Sequence, residues 1–154
     1  MAIIKPTITL TANKNSVSAQ PGPLSVALSL SGTDLLSVDG VRSEILVIPD
    51  HDTEAGNATM VIDGTDYTSG AAGSTGGFVY LKNVSAASSV NYIMIGIETE
   101  GATPSDISSA SNAKRLMTLK VGEFAFFPFD YNQDITARAS VDGQKLEYWV
   151  FDRA

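Results

Sequence analysis

The sequence predicts an all-β fold, a mostly antiparallel β-sandwich of jelly-roll type, on three observations. Gly and Pro punctuate the chain at short intervals, and the segments between them are rich in β-branched and aromatic residues. Helix signals are weak: the best candidate, "SDISSASNAKRL" after Thr103-Pro104, has a capping Thr and a first-turn Pro. Its serines and Asn112 lower helix propensity, so a single turn or an irregular loop is expected there. At 154 residues the chain has the length of one domain with one core.

Taken in order, Met1 to Gln20 reads as an extended arm that joins the sandwich only in part, because "NKNSVSAQPGP" offers few core residues. Residues 21–154 then form the sandwich. Ten strands are expected, beginning with "PTITLTA" and "PLSVALSLS". In the second, Leu24, Val26, Leu28 and Leu30 alternate with Ser25, Ala27, Ser29 and Ser31, the period of a half-buried strand. "VRSEILVIP", "ATMVID", "GGFVYLKNV", "NYIMIGIE", "KRLMTLKV", "EFAFFPF" and "DITARASV" follow. In the last, "KLEYWVF", Leu146, Tyr148 and Val150 share one face. The opposite face, Lys145, Glu147, Trp149 and Phe151, is half polar, which makes Trp149 and Phe151 rim residues that meet a partner.

The segment "EFAFFPF" holds four of the six phenylalanines. Extended backbone sets Phe124 and Phe126 on one face and Ala125 and Phe127 on the other, while Pro128 cannot donate to a ladder. The pattern reads as a central strand packed in the core that ends or bulges at Pro128, with Phe127 and Phe129 near a rim; the alternative is Phe127 or Phe129 as a partner-facing anchor. Three long loops, "PDHDTEAGN", "DGTDYTSGAAGSTGG" and "ETEGATPSDISSASN", either bind something or lie against a neighbour.

Composition narrows the function. The chain has no cysteine, which removes disulfides, thiolate metal sites and cysteine nucleophiles. A formal charge of −7 opposes binding to phosphate backbones, so nucleic acid is not expected as a partner. "MAIIKPTITLTANK" lacks the charged leader and apolar run of a signal peptide, and no stretch reaches the ~18 apolar residues of a spanning helix. The reading is a protein made in the cytoplasm, without a membrane partner and without glycans at the sequons of Asn57 and Asn83.

Catalytic chemistry finds little support. His51, the only histidine, lies between Asp50 and Asp52, but the following residues do not fit an EF-hand, since its last liganding position is Val61. A solvated turn is expected. Ser74 in "GAAGSTGG" follows Ala72 where a nucleophile elbow needs Gly, and the segment lacks the Lys-Ser/Thr pair of a phosphate loop. No pair of carboxylates is singled out for glycoside hydrolysis. The expectation is a non-enzymatic protein with no cofactor and no metal.

Three segments, "GGFVYLKNVSAASSVNYIMIGIE", "RLMTLKVGEFAFFPFD" and "LEYWVFDRA", together with the opening "MAIIKPTITLTANKNSVSAQPGPLSVALSLS", resemble small virion structural proteins of tailed bacteriophages, particularly those of marine cyanophages. The resemblance implies a β-sandwich with a place in the virion, and a hairpin turning at Gly122 between "RLMTLKV" and "EFAFFP". As a capsid decoration or cement protein the chain would bind the outer head surface, with the major capsid protein and sister subunits, as a homo-trimer, for partners. Ile3 and Ile4 of the arm, Phe127, Phe129, Trp149 and Phe151 would make those contacts. A tail, baseplate or fibre component is the alternative within the virion. Outside it stands a carbohydrate-binding module that stacks sugars on Tyr67, Tyr92, Tyr131 and Trp149.

Overall fold

The computed structural model describes residues 2–4, 7–10, 28–31, 36–50, 58–67, 76–86, 91–108 and 114–153. Eleven strands lie within them: β1 Ala2–Ile4, β2 Thr7–Leu10, β3 Leu28–Ser31, β4 Leu36–Ile48, β5 Thr59–Ile62, β6 Gly77–Asn83, β7 Tyr92–Thr99, β8 Arg115–Lys120, β9 Phe124–Phe129, β10 Gln133–Ala139 and β11 Gln144–Arg153. Each of the ten expected segments overlaps one of the strands β2 to β11, although β4, β7, β10 and β11 extend beyond theirs, β4 by five residues at its start. β1 is the addition, and it pairs with β4 through Ile3 opposite Ser37 and Ile4 opposite Leu36. A 3-10 turn, Gly64–Tyr67, is the one helical element described.

The expected antiparallel sandwich is present. One sheet has the order β1-β4-β11-β6-β9, a second has β5-β10-β7-β8, and β2 pairs with β3 in a separate ladder. All named ladders are antiparallel. The alternation of "GFVYLKN" decides which way β6 faces, because Val79 and Leu81 are buried while Phe78, Tyr80 and Lys82 are half-buried. Val79 and Leu81 meet Ile48, Leu146 and Val150 of the same sheet and Ile93, Ile95, Ile135 and Ala137 of the other in one core. Each aliphatic side chain fully buried there contributes about 1.5–3 kcal/mol.

The expected position of the phenylalanine segment, its end at Pro128 and its hairpin with the preceding strand all need correction. β9 is an edge strand, not a central one, and it runs through Pro128, which lies opposite Phe78. Asn83 N–H donates to Glu123 C=O at 3.1 Å, so by alternation the backbone groups of Phe124, Phe126 and Pro128 turn away from β6. The missing N–H of Pro128 therefore costs no sheet hydrogen bond, and it guards the free edge against further strands.

The remaining correction concerns the hairpin. β8 pairs with β7 and β9 pairs with β6, so the two strands flanking Gly122 belong to different sheets. The turn itself is as expected: Gly122 has φ +83°, a conformation that residues with a Cβ resist. Its N–H donates to Asn83 C=O at 2.8 Å, and Glu123 N–H donates to Lys120 C=O at 2.9 Å. Residues 121–123, at ~3.5 Å each, are long enough to cross the ~10 Å between packed sheets.

The third long loop is irregular over 102–108, as expected for so serine-rich a stretch. It folds over the outer face of the four-stranded sheet and seats Ile107, fully buried, beside Met94, Ala58 and Tyr92. Gly96 makes room for it, since a Cβ there would lie 2.8 Å from Thr136 Oγ1 and 2.9 Å from Ile107 Cγ2. Polar contacts fix the same loop. Ser105 N–H donates to Glu98 Oε1 at 2.8 Å, Lys114 pairs with the buried Glu98, and Arg138 donates to Asp106 Oδ1 at 2.9 Å.

Candidate docking face

The other outer face, on β4, β11, β6 and β9, is built differently. Register aligns its outward positions in rows: Ile45, Glu147, Lys82 and Phe124 form one, and Ser43, Trp149, Tyr80 and Phe126 the next. Phe151, Phe78 and Pro128 continue a third. Aromatic side chains therefore occupy outward positions on three adjacent strands.

These rings pack on one another. Phe78 and Phe126 are parallel with centroids 5.7 Å apart, and Trp149 and Phe151 stack at 6.2 Å. Phe126 meets Phe151 edge-on at 6.2 Å, while Tyr80 and Phe124 lie 5.9 Å apart. Such pairs contribute about 0.5–1.5 kcal/mol beyond their burial, which pre-organises the surface. Much of it still meets water: Phe124 is 60% exposed, Ile45 57%, Val47 61% and Trp149 37%. The exposed apolar side chains thus lie together on one face rather than scattered singly.

Charge on this face is sparse. Glu147 lies directly across from Lys82, Lys145 lies across from Val47, and Trp149 Nε1 donates to Glu147 Oε1 at 3.2 Å. Burial and then the negative charge of Glu147 push the Tyr80 hydroxyl above its ordinary value of 10.0. Tyr80 is therefore neutral at physiological pH, and its contribution to stability is lost only as the solution becomes strongly alkaline.

The expected contact residues divide. Trp149 and Phe151 belong to the face, both on β11, which lies between β4 and β6. Phe129 does not: it is 4% exposed and packs edge-on against Tyr131 in the core. Phe127 is half-buried and packs against that core as well. Core packing therefore describes Phe129 and, in part, Phe127, while the partner-facing alternative does not fit Phe129; Phe124 and Phe126 lie on the outer face. Ile3 and Ile4 lie in β1, and their side chains fall outside the described residues, as do His51, Asp52, Ser74 and the Tyr67 side chain.

The expected sugar-stacking set is not brought together. Tyr131 is buried, Tyr92 packs with Met94 and Ile107 on the other sheet, and Trp149 stands on the aromatic face. Asn83, one of the two sequon asparagines, is fully buried and donates to Leu119 C=O at 3.0 Å, which denies it to a glycosyl group.

An apolar groove of about 490 Å³ opens where the edges of β8 and β9 face each other, lined by Leu116, Met117, Phe127 and Gln133 among others. Among the described residues of its wall Asp130 is the only ionisable one. Among the described residues no cluster of three or more His, Asp or Glu could hold a metal ion. None of their helices is long and apolar enough to cross a membrane. Comparison with protein-family models, with curated proteins and with solved structures finds no match to this chain.

Proposed function

We propose that this chain is a non-enzymatic structural protein of a phage virion, of the capsid decoration or cement type. It binds the outer head surface and stabilises the shell by mass action: a protein that binds only the assembled state stabilises it by RT ln(1 + [L]/Kd) at every site occupied. The observation that carries the reading is the aromatic face, a pre-packed apolar surface suited to a protein partner, either capsid or a sister subunit.

The strand order supports the same reading. We take β4-β11-β6-β9 facing β5-β10-β7-β8 as a jelly roll, the eight-stranded double Greek key used in viral capsid and lectin domains. The sugar-binding alternative is the weaker one on this face. Side chains stand roughly upright on a sheet, and here the rings spend their flat faces on each other where a pyranose would need them.

The test is immunogold labelling of purified virions with an antibody to this chain, viewed by electron microscopy. Gold over the heads, together with heads that burst at a lower temperature when the protein is missing, is the expected result. Gold confined to tails would replace decoration by a tail or fibre role, and no gold would overturn the virion reading.

A further inference from the structure

We infer that the aromatic face is the interface of a symmetric dimer, its occupant being the same face of a second copy. The argument is self-complementarity. A closed two-fold interface requires that if position i meets position j of the partner, j also meets i. Consider a two-fold axis parallel to the strands and midway between β11 and β6. It lays β11 over the partner's β6, and β4 over the partner's β9, row upon row.

Under that operation every charged position on the central rows finds its opposite. Glu147 meets the second copy's Lys82 and Lys82 its Glu147, because the two lie in one row on adjacent strands. In the same row Ile45 meets Phe124, two of the most exposed apolar side chains described. In the next row Trp149 meets Tyr80, and in the third Phe151 meets Phe78. No like charges are opposed in these rows, and Lys145 falls toward the rim.

The extent of the face is adequate. Four strands ~4.8 Å apart and four outward rows ~6.8 Å apart give roughly 500 Å² of projected area per copy, or about 1,000 Å² in total. That is the lower limit for a specific interface, so dimerisation is expected to depend on concentration. Sheets that pack face to face keep their mean strand directions within about 30° of each other, and the parallel alignment of this operation falls in that range. The dimer does not depend on the virion assignment, and either can fail alone.

Sedimentation velocity across a concentration series tests it, with two charge variants, Glu147→Lys and Lys82→Glu. The wild-type chain should sediment as a dimer. Each variant alone opposes like charges at the centre and should weaken dimerisation roughly tenfold or more. Mixed in equal amounts they should dimerise again. In the mixed pair, the lysine introduced on β11 of one chain meets the glutamate introduced on β6 of the other, and the unchanged Lys82 of the first meets the unchanged Glu147 of the second. An intrachain effect cannot produce that rescue.

Phe124→Ser, at a position 60% exposed, should also raise the dimer dissociation constant roughly tenfold, by removing an aromatic anchor from the interface. A wild-type chain that stays monomeric throughout the series overturns the proposal. So do charge variants that remain dimeric, or a mixture that remains monomeric.

Discussion

The two outer faces of this sandwich solve the same problem in opposite ways. The four-stranded sheet is covered by its own chain, with Ile107 pressed over Gly96 and the loop tied down through Glu98, Ser105, Lys114, Asp106 and Arg138. The five-stranded sheet leaves Phe124, Trp149, Ile45 and Val47 in contact with water. The covered face is stability already realised in the folded chain. The open face holds apolar area in reserve, and its rings are positioned by each other rather than by a lid.

That contrast can be broken first at Ile107. Truncation to Ala removes a fully buried side chain from between the loop and the sheet and should destabilise the fold by about 3 kcal/mol, measured by urea unfolding. Gly96→Ala comes next. Its new Cβ would crowd Thr136 Oγ1 and Ile107, at an expected cost of about 2 kcal/mol in the same assay. Lys114→Ala should cost a similar ~2 kcal/mol, because the Glu98 carboxylate it pairs with is buried while Lys114 itself is half in water.

Acid sharpens the same point. Burial alone would raise the Glu98 carboxyl, but the Lys114 and Ser105 bonds outweigh it and hold the group below its ordinary 4.5. Asp106 is held below 3.8 by the Ser108 backbone bond and by Arg138. The unfolded chain therefore binds more protons than the folded one as pH falls from those ordinary values, and stability declines through the folded-state values. In Lys114→Ala the Glu98 share of that decline should shrink, which a pH series of urea midpoints would show.

At the small end of the scale, Phe124→Ser on the open face should lower folding stability by about 1 kcal/mol, through loss of its ring pair with Tyr80. An equal loss of stability from Phe124→Ser and Ile107→Ala would erase the distinction between the faces.

The strands were legible because their periodicity and punctuation are local properties. The two faces of β11 could be read for the same reason, with Leu146 and Val150 inward. What local pattern could not supply was direction for a strand apolar on both sides. In "FAFFPF" either parity can be the inner one, and only the register against "GFVYLKN", with Phe78 and Tyr80 outward, turns Phe127 and Phe129 inside. The sheet switch at Gly122 was hidden for a related reason, since a short glycine turn serves a hairpin and a sheet crossing equally well. The covering loop did leave a trace: Ile107 is the one large apolar residue between Ile97 and Leu116, inside an otherwise polar stretch.

The order in which the strands are made bears on how the protein comes into being. β11 is the last strand in sequence, yet it lies between β4 and β6, and β10, made just before it, lies between β5 and β7. On a ribosome the flanking strands emerge first and wait with open edges and exposed apolar faces until residues 133–153 have left the exit tunnel. Long-range pairings of this kind are slow and vulnerable to association while incomplete. Until those two strands arrive, neither sheet can close across its middle.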